Sequence, residues 1–195
     1  MARKAVRGMK QARDSSGAVA QYRRLFIFVE GDDDARFAKQ LLVPALLARW
    51  DHVRTIRYAR KKDKWEWVSR CIAGIRSMRA DYWLLADRNS EPCVSAAKSR
   101  IKNAIRGLDP ARALVVAPEI EAWYAAGVPA RHQKRLGLER TGRTVELTKE
   151  QFEQLIPKRY TSAADWKVDV LKVFAIREAR KRNGSFAYAA GKLGL

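Results

Sequence analysis

The stretch LFIFVEGDDDARFA, Leu25 to Ala38, decides the fold of this chain. Its first five residues, Leu25–Val29, are all apolar, and they run directly into a Glu-Gly pair and three aspartates. An unbroken apolar run of this length, closed by glycine, is typical of a strand buried in a parallel sheet. The acids that follow favour a helix start, because Asp32 or Asp33 can cap free backbone N–H groups and suits the positive end of the helix dipole. A strand-to-helix corner with four carboxylates, beginning at Glu30, is therefore expected.

Two further apolar runs and one run that alternates β-branched and basic residues, VRTIRY, predict three more strands, and stripes of apolar residues at helical spacing separate them. The four predicted strands are Leu25–Val29, Val53–Tyr58, Tyr82–Ala86 and Ala113–Ala117. Strands that alternate with helices indicate an α/β fold with a mainly parallel, four-stranded sheet in three layers. We therefore assign residues 21–127 to an α/β core.

The last third of the chain, residues 128–195, is basic and shows helix signals without a shift in composition. Thr148 and Gln151 have the spacing of a capping box, which predicts a short helix over Lys149–Ile156. A second cap at Ser162 predicts another helix, whose basic last turn ends before Gly184. We interpret this part as a helical extension packed on the sheet.

The composition constrains the partners of the protein. Of its 195 residues 47% are apolar, which supports a folded core, and the formal charge is +19. This excess favours a polyanionic partner, with nucleic acid ahead of a membrane surface, although plain solubility or an acidic protein partner would also fit. Residues 1–20 are Arg-rich and are expected to form a flexible basic arm. No apolar stretch reaches the ~20 residues that span a bilayer.

The two cysteines, Cys71 and Cys93, lack the CxxC spacing of a redox or zinc motif. We expect free thiols in a reducing compartment, and hence a cytoplasmic protein. With only two histidines in the chain, a zinc site is disfavoured.

Acidic residues follow three of the four predicted strands: Glu30, then Asp87, then Glu119 with Glu121. The ends of parallel strands meet at one edge of a sheet, so these side chains could converge. Converging carboxylates repel one another unless they are protonated or bridged by a cation, and hard oxygen ligands suit Mg²⁺ or Mn²⁺. The competing interpretation is three unrelated helix caps. An acidic pocket in a basic chain is what metal-assisted phosphodiester cleavage requires.

Basic residues near these acids, and in the last third, are the candidates for contact with a nucleic-acid backbone. They are Arg57, Arg60, Lys61, Lys62, Lys64, Arg88, Arg131, Lys134 and Arg135. The tryptophans invite a role in base stacking, but most of them fall in predicted elements, where packing in the core is the favoured role.

Three short motifs resemble those of the Toprim domain of topoisomerases, primases and several nucleases. They are FVEG ending at Gly31, Asp87-Arg88-Asn89 after a later strand, and PEIEAWYAAG over residues 118–127. The last is similar to the E-x-E-A-W motif of small bacterial and phage Toprim-like proteins, which often occur beside ATPases and are linked to defence. The resemblance covers about residues 22–127 and implies a Rossmann-like sheet that binds Mg²⁺.

By this resemblance Glu30 acts in proton transfer or metal binding, and Asp87 holds the metal. Asn89 stands where the family has a second aspartate, and an amide offers a neutral oxygen but no charge. That departure weakens one metal position, for which Glu119 or Glu121 could compensate. Of the three aspartates at the first corner, Asp34 is the one expected to face the site.

The leading hypothesis is a Mg²⁺- or Mn²⁺-dependent nucleic-acid phosphodiesterase with Glu30 and Asp87 as catalytic residues. A tight turn at Gly31 would let a phosphate approach the backbone. The alternative is a nucleic-acid-binding module that has lost its catalysis at Asn89, and a third is activity licensed by a partner ATPase. The sequence leaves open DNA or RNA, single or double strands, and whether the chain forms a homodimer.

Overall fold

A four-stranded parallel sheet lies at the centre of the computed structural model, which describes residues 22–139, 141 and 144–195. The strands are β1 (Arg24–Val29), β2 (His52–Arg57), β3 (Asp81–Asp87) and β4 (Ala113–Val116). They are ordered β2-β1-β3-β4, and every neighbouring pair is parallel. The predicted α/β class and parallel four-stranded sheet are confirmed. The basic arm predicted at residues 1–20 lies outside the described residues.

Helices connect the strands and make up most of the last third. They are α1 (Asp32–Phe37), which continues through a π-helical segment (Ala38–Leu42) into α2 (Val43–Leu46), α3 (Lys64–Ser77), α4 (Val94–Ala104), α5 (Ile120–Ala126), α6 (Ala130–Leu136), α7 (Lys149–Glu153), α8 (Ala163–Lys172), α9 (Ile176–Arg182) and α10 (Gly184–Leu193). Short 3₁₀ segments cover Pro110–Arg112 and Thr144–Glu146.

The central strands of the sheet are buried on both faces, whereas the edge strand β2 has exposed residues along its length. Leu25 and Ile27 of β1 belong to a core shared with α1, α2 and the helices after β4, in which Trp166 of α8 and Phe186 of α10 are buried. Phe28 of β1 belongs to a second core with α3 and α4. Burial on both faces explains why β1 is apolar throughout, and it makes the C-terminal helices part of one core with the sheet.

The two predicted caps in the last third are present. The Thr148 and Gln151 side chains form a reciprocal capping box at the start of α7, and Ser162 Oγ accepts a hydrogen bond from the Asp165 N–H at 3.1 Å. The predicted end of a helix before Gly184 is confirmed, because α9 ends at Arg182, and Gly184 is the first residue of the next helix, α10. The buried Asn183 side chain precedes it and accepts from the Phe186 N–H at 3.0 Å.

The sequence predicts one helix through residues 166–182, but the structure has two, α8 and α9, with a turn between them. The Ala175 N–H donates to the Gly127 carbonyl at 2.8 Å, and the Phe174 ring lies against Gly127 so closely that a Cβ there would sit 2.1 Å from it. This contact between distant parts of the chain fixes a turn that helical periodicity alone does not show.

The carboxyl ends of β1, β3 and β4 lie side by side at one edge of the sheet. Asp87, the last residue of β3, is paired in register with Val116, the last residue of β4. Glu30 follows β1 directly, and Glu119 precedes α5 after β4. The topology therefore brings the predicted acids to a common edge, where open α/β sheets form their sites.

Candidate functional site

The corner after β1 is built around Asp34. Gly31 occupies the N-cap position of α1, and its N–H donates to Asp34 Oδ2 at 3.0 Å. This bond folds the Asp34 side chain back under the corner, where the residue is only 5% exposed. The prediction that Asp32 or Asp33 caps the helix is wrong, because the helix begins at Asp32 itself and the acid at the third helical position reaches back to the N-cap.

The other two aspartates point in different directions, since successive residues of a helix are rotated by about 100°. Asp32 is exposed and forms ion pairs with Arg57 and Arg60 of the basic loop after β2. Asp33 pairs with Arg36 on its own helix and with Lys167 of α8. Its pKa is lowered, because these two cations outweigh the opposing effect of burial.

Asp34 and Asp87 are the two carboxylates that the protein leaves incompletely satisfied. The Oδ1 atom of each is buried and has no hydrogen-bond partner among the described residues. Burial raises the pKa of Asp87 to about 9, with a further contribution from Asp34 and then Glu30. Burial also raises the pKa of Asp34 to about 6, against the hydrogen bond from Gly31. A pair of buried acids in this state keeps a proton or takes up a cation.

Glu30 lies beside this pair and is held by a lysine. Lys64, the first residue of α3, places its Nζ 3.1 Å from Glu30 Oε1, and both side chains are partly buried. The Lys64 ammonium also lies over the Trp65 ring, 4.7 Å from its centroid. Below them Tyr58 is buried and donates to the Leu85 carbonyl at 3.1 Å. Burial raises the pKa of Tyr58, and Glu30, Asp34 and Asp87 add to the effect.

A second acidic group surrounds Lys167, whose side chain is 2% exposed. Its Nζ lies 2.7 Å from Asp33 Oδ2, 3.0 Å from Glu121 Oε1 and 3.6 Å from Glu153 Oε1. Burial raises the pKa of Glu121 although Lys167 opposes the shift. Glu121, one of the metal ligands predicted from the sequence, thus forms a buried ion pair that joins α5 to α8.

The other two predicted ligands also have local partners. Glu119 Oε2 accepts the Lys149 N–H at 2.7 Å, so this carboxylate sits at the start of α7. Asn89 is exposed, adopts a left-handed backbone with φ of 54°, and donates from Nδ2 to the Asp87 carbonyl at 3.0 Å. Asparagine and aspartate both tolerate this backbone better than most residues, so the left-handed conformation does not explain why Asn89 replaces a second aspartate.

The sequence did not identify two residues of the acidic edge as candidates for this site: Lys167 and Asp33. A signal for Lys167 was present, because Lys167, Val170 and Leu171 share one face of α8 by their spacing, and the two apolar residues are buried. A lysine on the buried face of a helix requires a buried acid, and only the fold shows which one.

The basic candidates fall into two groups. The loop after β2 runs along a groove of about 600 Å³ that is also lined by Glu30 and Gly31, so it adjoins the acidic edge. Arg88 follows Asp87 directly, and its Nε is buried without a hydrogen-bond partner among the described residues. In contrast, Arg131, Lys134 and Arg135 are exposed on α6, and Lys62 is exposed in the loop. No hydrogen bond or ion pair within the part of the chain that the structure describes links the α6 residues to the acidic edge.

The donor set of the edge fits a hard cation held by few protein ligands. Within the described ranges no three His, Cys, Asp or Glu side chains lie close enough together to hold one metal ion. Asp34 and Asp87 supply two buried carboxylate oxygens with no other partner. Mg²⁺ commonly binds through one or two carboxylates and completes its coordination shell with water and substrate phosphates. Two carboxylate oxygens without other partners are therefore enough protein ligands for this ion.

Comparison with known proteins gives this chain no relative: no family model, no curated protein and no solved structure matches it. In the described residues, none of the helices combines the length and the apolar character that crossing a membrane demands.

Proposed function

We propose that the protein is a Mg²⁺- or Mn²⁺-dependent phosphodiesterase that cleaves nucleic acid at the carboxyl edge of its sheet. The observation that carries the proposal is the pair of buried, unpartnered oxygens, Asp34 Oδ1 and Asp87 Oδ1, at the ends of two adjacent strand-to-helix corners. An unpartnered buried carboxyl group costs free energy, and acids with strongly shifted pKa values cluster at functional sites, which supports the proposal.

Asp34 and Asp87 would hold the cation, with Glu30 at the mouth of the same edge. When bound, a divalent cation neutralises charge on the reacting phosphate and lowers the pKa of water in its shell. The Gly31 N–H fixes Asp34, so one ligand is oriented before the cation arrives.

Glu30 is the residue placed to accept a proton from the attacking water. Its carboxylate is partly exposed beside the groove, and the ion pair with Lys64 limits its movement. The Lys64 ammonium lies next to the position that a phosphate would occupy near Glu30, so it would also offset charge on that phosphate.

The basic residues around the edge support a polyanionic substrate. The buried, unpartnered Nε of Arg88 adjoins Asp87 and would donate to a phosphate oxygen. Arg57, Arg60 and Lys61 line the neighbouring groove, and the chain carries a charge of +19. A basic surface concentrates the substrate electrostatically, with an affinity that falls as salt rises.

The test is cleavage of labelled single- and double-stranded DNA and RNA by the wild type, Glu30→Gln and Asp87→Asn, with Mg²⁺, with Mn²⁺ and with chelator. We expect cation-dependent cleavage that falls at least 100-fold in both variants, the range for loss of a general base or a key electrostatic group. Asp81→Asn is the matched control, because Asp81 begins the same strand at the opposite edge. Equal rates in wild type and Asp87→Asn would remove the acidic edge from the reaction.

A competing proposal is that the chain binds nucleic acid without cleaving it. It is favoured by the hydrogen bond that the Asn89 amide donates to the Asp87 carbonyl. In the described residues, moreover, no cluster of three possible metal-binding side chains is present. This proposal predicts salt-dependent binding that chelator does not change, and no cleavage of any of the four substrates.

A further inference from the structure

The groove between the edge strand β2 and helix α3 combines an apolar floor with a basic rim. Phe26, Ile56, Trp67 and Cys71 form the apolar part, and Arg54, Arg57, Arg60 and Lys61 form the basic part. Its volume of about 600 Å³ lies in the range of small-molecule pockets. Such a combination suits a ligand with one flat apolar group and one negative group.

Trp67 gives the floor of this groove an aromatic surface. The residue is only partly buried, whereas Trp123 and Trp166 are fully buried in the other core. Its ring meets Phe28 edge to face, with centroids 6.5 Å apart, and Lys61 Nζ lies 5.1 Å from its centroid. Trp67 is therefore held by the core, and a base that stacks on it would displace the Lys61 ammonium that lies over its ring.

The rim retains positive charge after its internal ion pairs are counted. Asp32 pairs with Arg57 and Arg60, but Arg54 and Lys61 have no carboxylate partner among the described residues. Because Glu30 and Gly31 also line the groove, a ligand bound there lies beside the corner that carries the acidic edge.

We propose that this groove binds one unpaired nucleotide of a single-stranded nucleic acid, with its base on Trp67 and its phosphate on the basic rim. The proposal rests on the proposed function, and it specifies the substrate class of that site. Both faces of a base in a duplex are covered by its neighbours, so only an unpaired or extruded base can stack on a protein ring. A duplex alone would use the rim but not the apolar floor.

The experiment measures binding in chelator, so that it does not depend on cleavage. A single-stranded oligonucleotide carrying the fluorescent base 2-aminopurine is titrated with wild type, Trp67→Leu and Trp50→Leu, and a duplex of the same sequence is run in parallel. Trp50 is the matched control, because it is also partly buried but lies before the opposite end of β2, where it donates to Asp81.

We expect the wild type to prefer the single strand and to quench the fluorescent base. Trp67→Leu should weaken single-strand binding about 5- to 100-fold, the range for loss of one base stack, and should abolish the quenching. Trp50→Leu should keep both. Equal loss in the two variants, equal affinity for single strand and duplex, or displacement of the strand by an equimolar free mononucleotide would overturn the proposal.

Arg54→Ala provides a second test that does not touch the core, since Arg54 is exposed. Loss of one phosphate contact should reduce the slope of log affinity against log salt by about 1 for the single strand. Lys102→Ala, an exposed change on α4, should leave that slope unchanged. An unchanged slope in Arg54→Ala would contradict a phosphate on this rim.

The two proposals fail in different ways. Single-strand binding that depends on Trp67, without cleavage of any substrate, would overturn the phosphodiesterase and keep the groove. Cleavage that depends on Asp87, without dependence on Trp67 in either binding or quenching, would do the reverse.

Discussion

Two neighbouring groups of acids in this protein differ in whether a cationic side chain pairs with them. Around Lys167, the carboxylates of Asp33 and Glu121 face an ammonium at 2.7 and 3.0 Å. In the neighbouring pair, Asp34 and Asp87 each keep a buried oxygen with no partner in the described residues. Asp33 and Asp34 are adjacent in the chain, so the division between the two groups runs through a single turn of α1.

This contrast is the basis for assigning a structural role to the first group and the proposed cation site to the second. The Lys167 group joins α1, α5 and α8, and Lys167 together with Arg36 balances the charges of Asp33 and Glu121, so these two acids need no outside ligand. The Asp34–Asp87 pair repels itself, and the pKa of both acids is raised by burial and by their neighbours. Charge that the protein does not neutralise is available for a cation or a proton, which is why the second group is the candidate site.

The largest expected effect is on the Lys167 group. Lys167→Met leaves Glu121, which is 3% exposed, without its cation and leaves Asp33 with Arg36 alone, so it should lower the free energy of unfolding by about 3–5 kcal/mol. Denaturant unfolding at pH 7.5 measures it. The double variant Lys167→Met with Glu121→Gln should recover part of the loss. A change below about 1 kcal/mol in the single variant would contradict a structural role for this group.

The next largest effect is a gain in the free energy of unfolding, and it is expected on replacing Asp87. Its pKa of about 9 means that the folded protein keeps a proton that the unfolded chain releases above pH ~4. The contribution of this group to stability is therefore full at low pH and is lost as pH rises toward 9. Asp87→Asn has no proton to lose, so in chelator at pH 8 it should be more stable than wild type, on the order of 1–4 kcal/mol.

This gain should shrink as the pH is lowered to 5, and thermal unfolding over that range measures it. Asp81→Asn, at the other end of β3, is the control and should lose stability, because Asp81 accepts from Trp50 and pairs with Arg112. A gain in Asp87→Asn that did not depend on pH would show that repulsion between acids is not its cause.

A smaller effect is expected from the cation itself. At pH 8 millimolar Mg²⁺ or Mn²⁺ should stabilise the wild type by about 1–2 kcal/mol, because a ligand that binds only the folded state raises its stability. The shift should disappear in Asp34→Asn and Asp87→Asn and persist in Glu121→Gln, once the lower starting stability of that variant is taken into account. Melting temperatures with and without chelator provide the measurement, and a shift that survives in Asp87→Asn would place the cation elsewhere.

The smallest expected effect tests whether Glu119 binds the cation together with Asp34 and Asp87. Glu119→Gln keeps an oxygen that can accept the Lys149 N–H, so stability should change by no more than about 1 kcal/mol. The Mg²⁺-dependent shift should be the same as in wild type. If the shift is lost, Glu119 leaves α7 to bind the cation, and the ligand set is that predicted from the sequence.

Local patterns in the sequence determined much of this protein. Three apolar runs and one alternating run predicted the four strands, because burial on both faces requires an uninterrupted apolar strand and an edge strand with a solvated face alternates. Alternation of these strands with helical stripes predicted the parallel sheet. The capping signals at Thr148 and Ser162 were also sufficient, since a cap is a contact between residues three positions apart. The convergence of acids at one edge followed from the handedness of the crossovers.

The roles of the individual acids were decided only by the tertiary structure. Several acids lie at the edge, but no local pattern shows that Lys167, more than 130 residues after Asp33, pairs with Asp33 and Glu121. Nor does a local pattern show that Asp34 and Asp87 each keep one oxygen without a partner in the described residues. The break before α9 and the groove beside Trp67 likewise depend on packing between distant segments. Charge and periodicity are local properties of a chain, whereas the partner of a buried charge is set by what the fold brings against it.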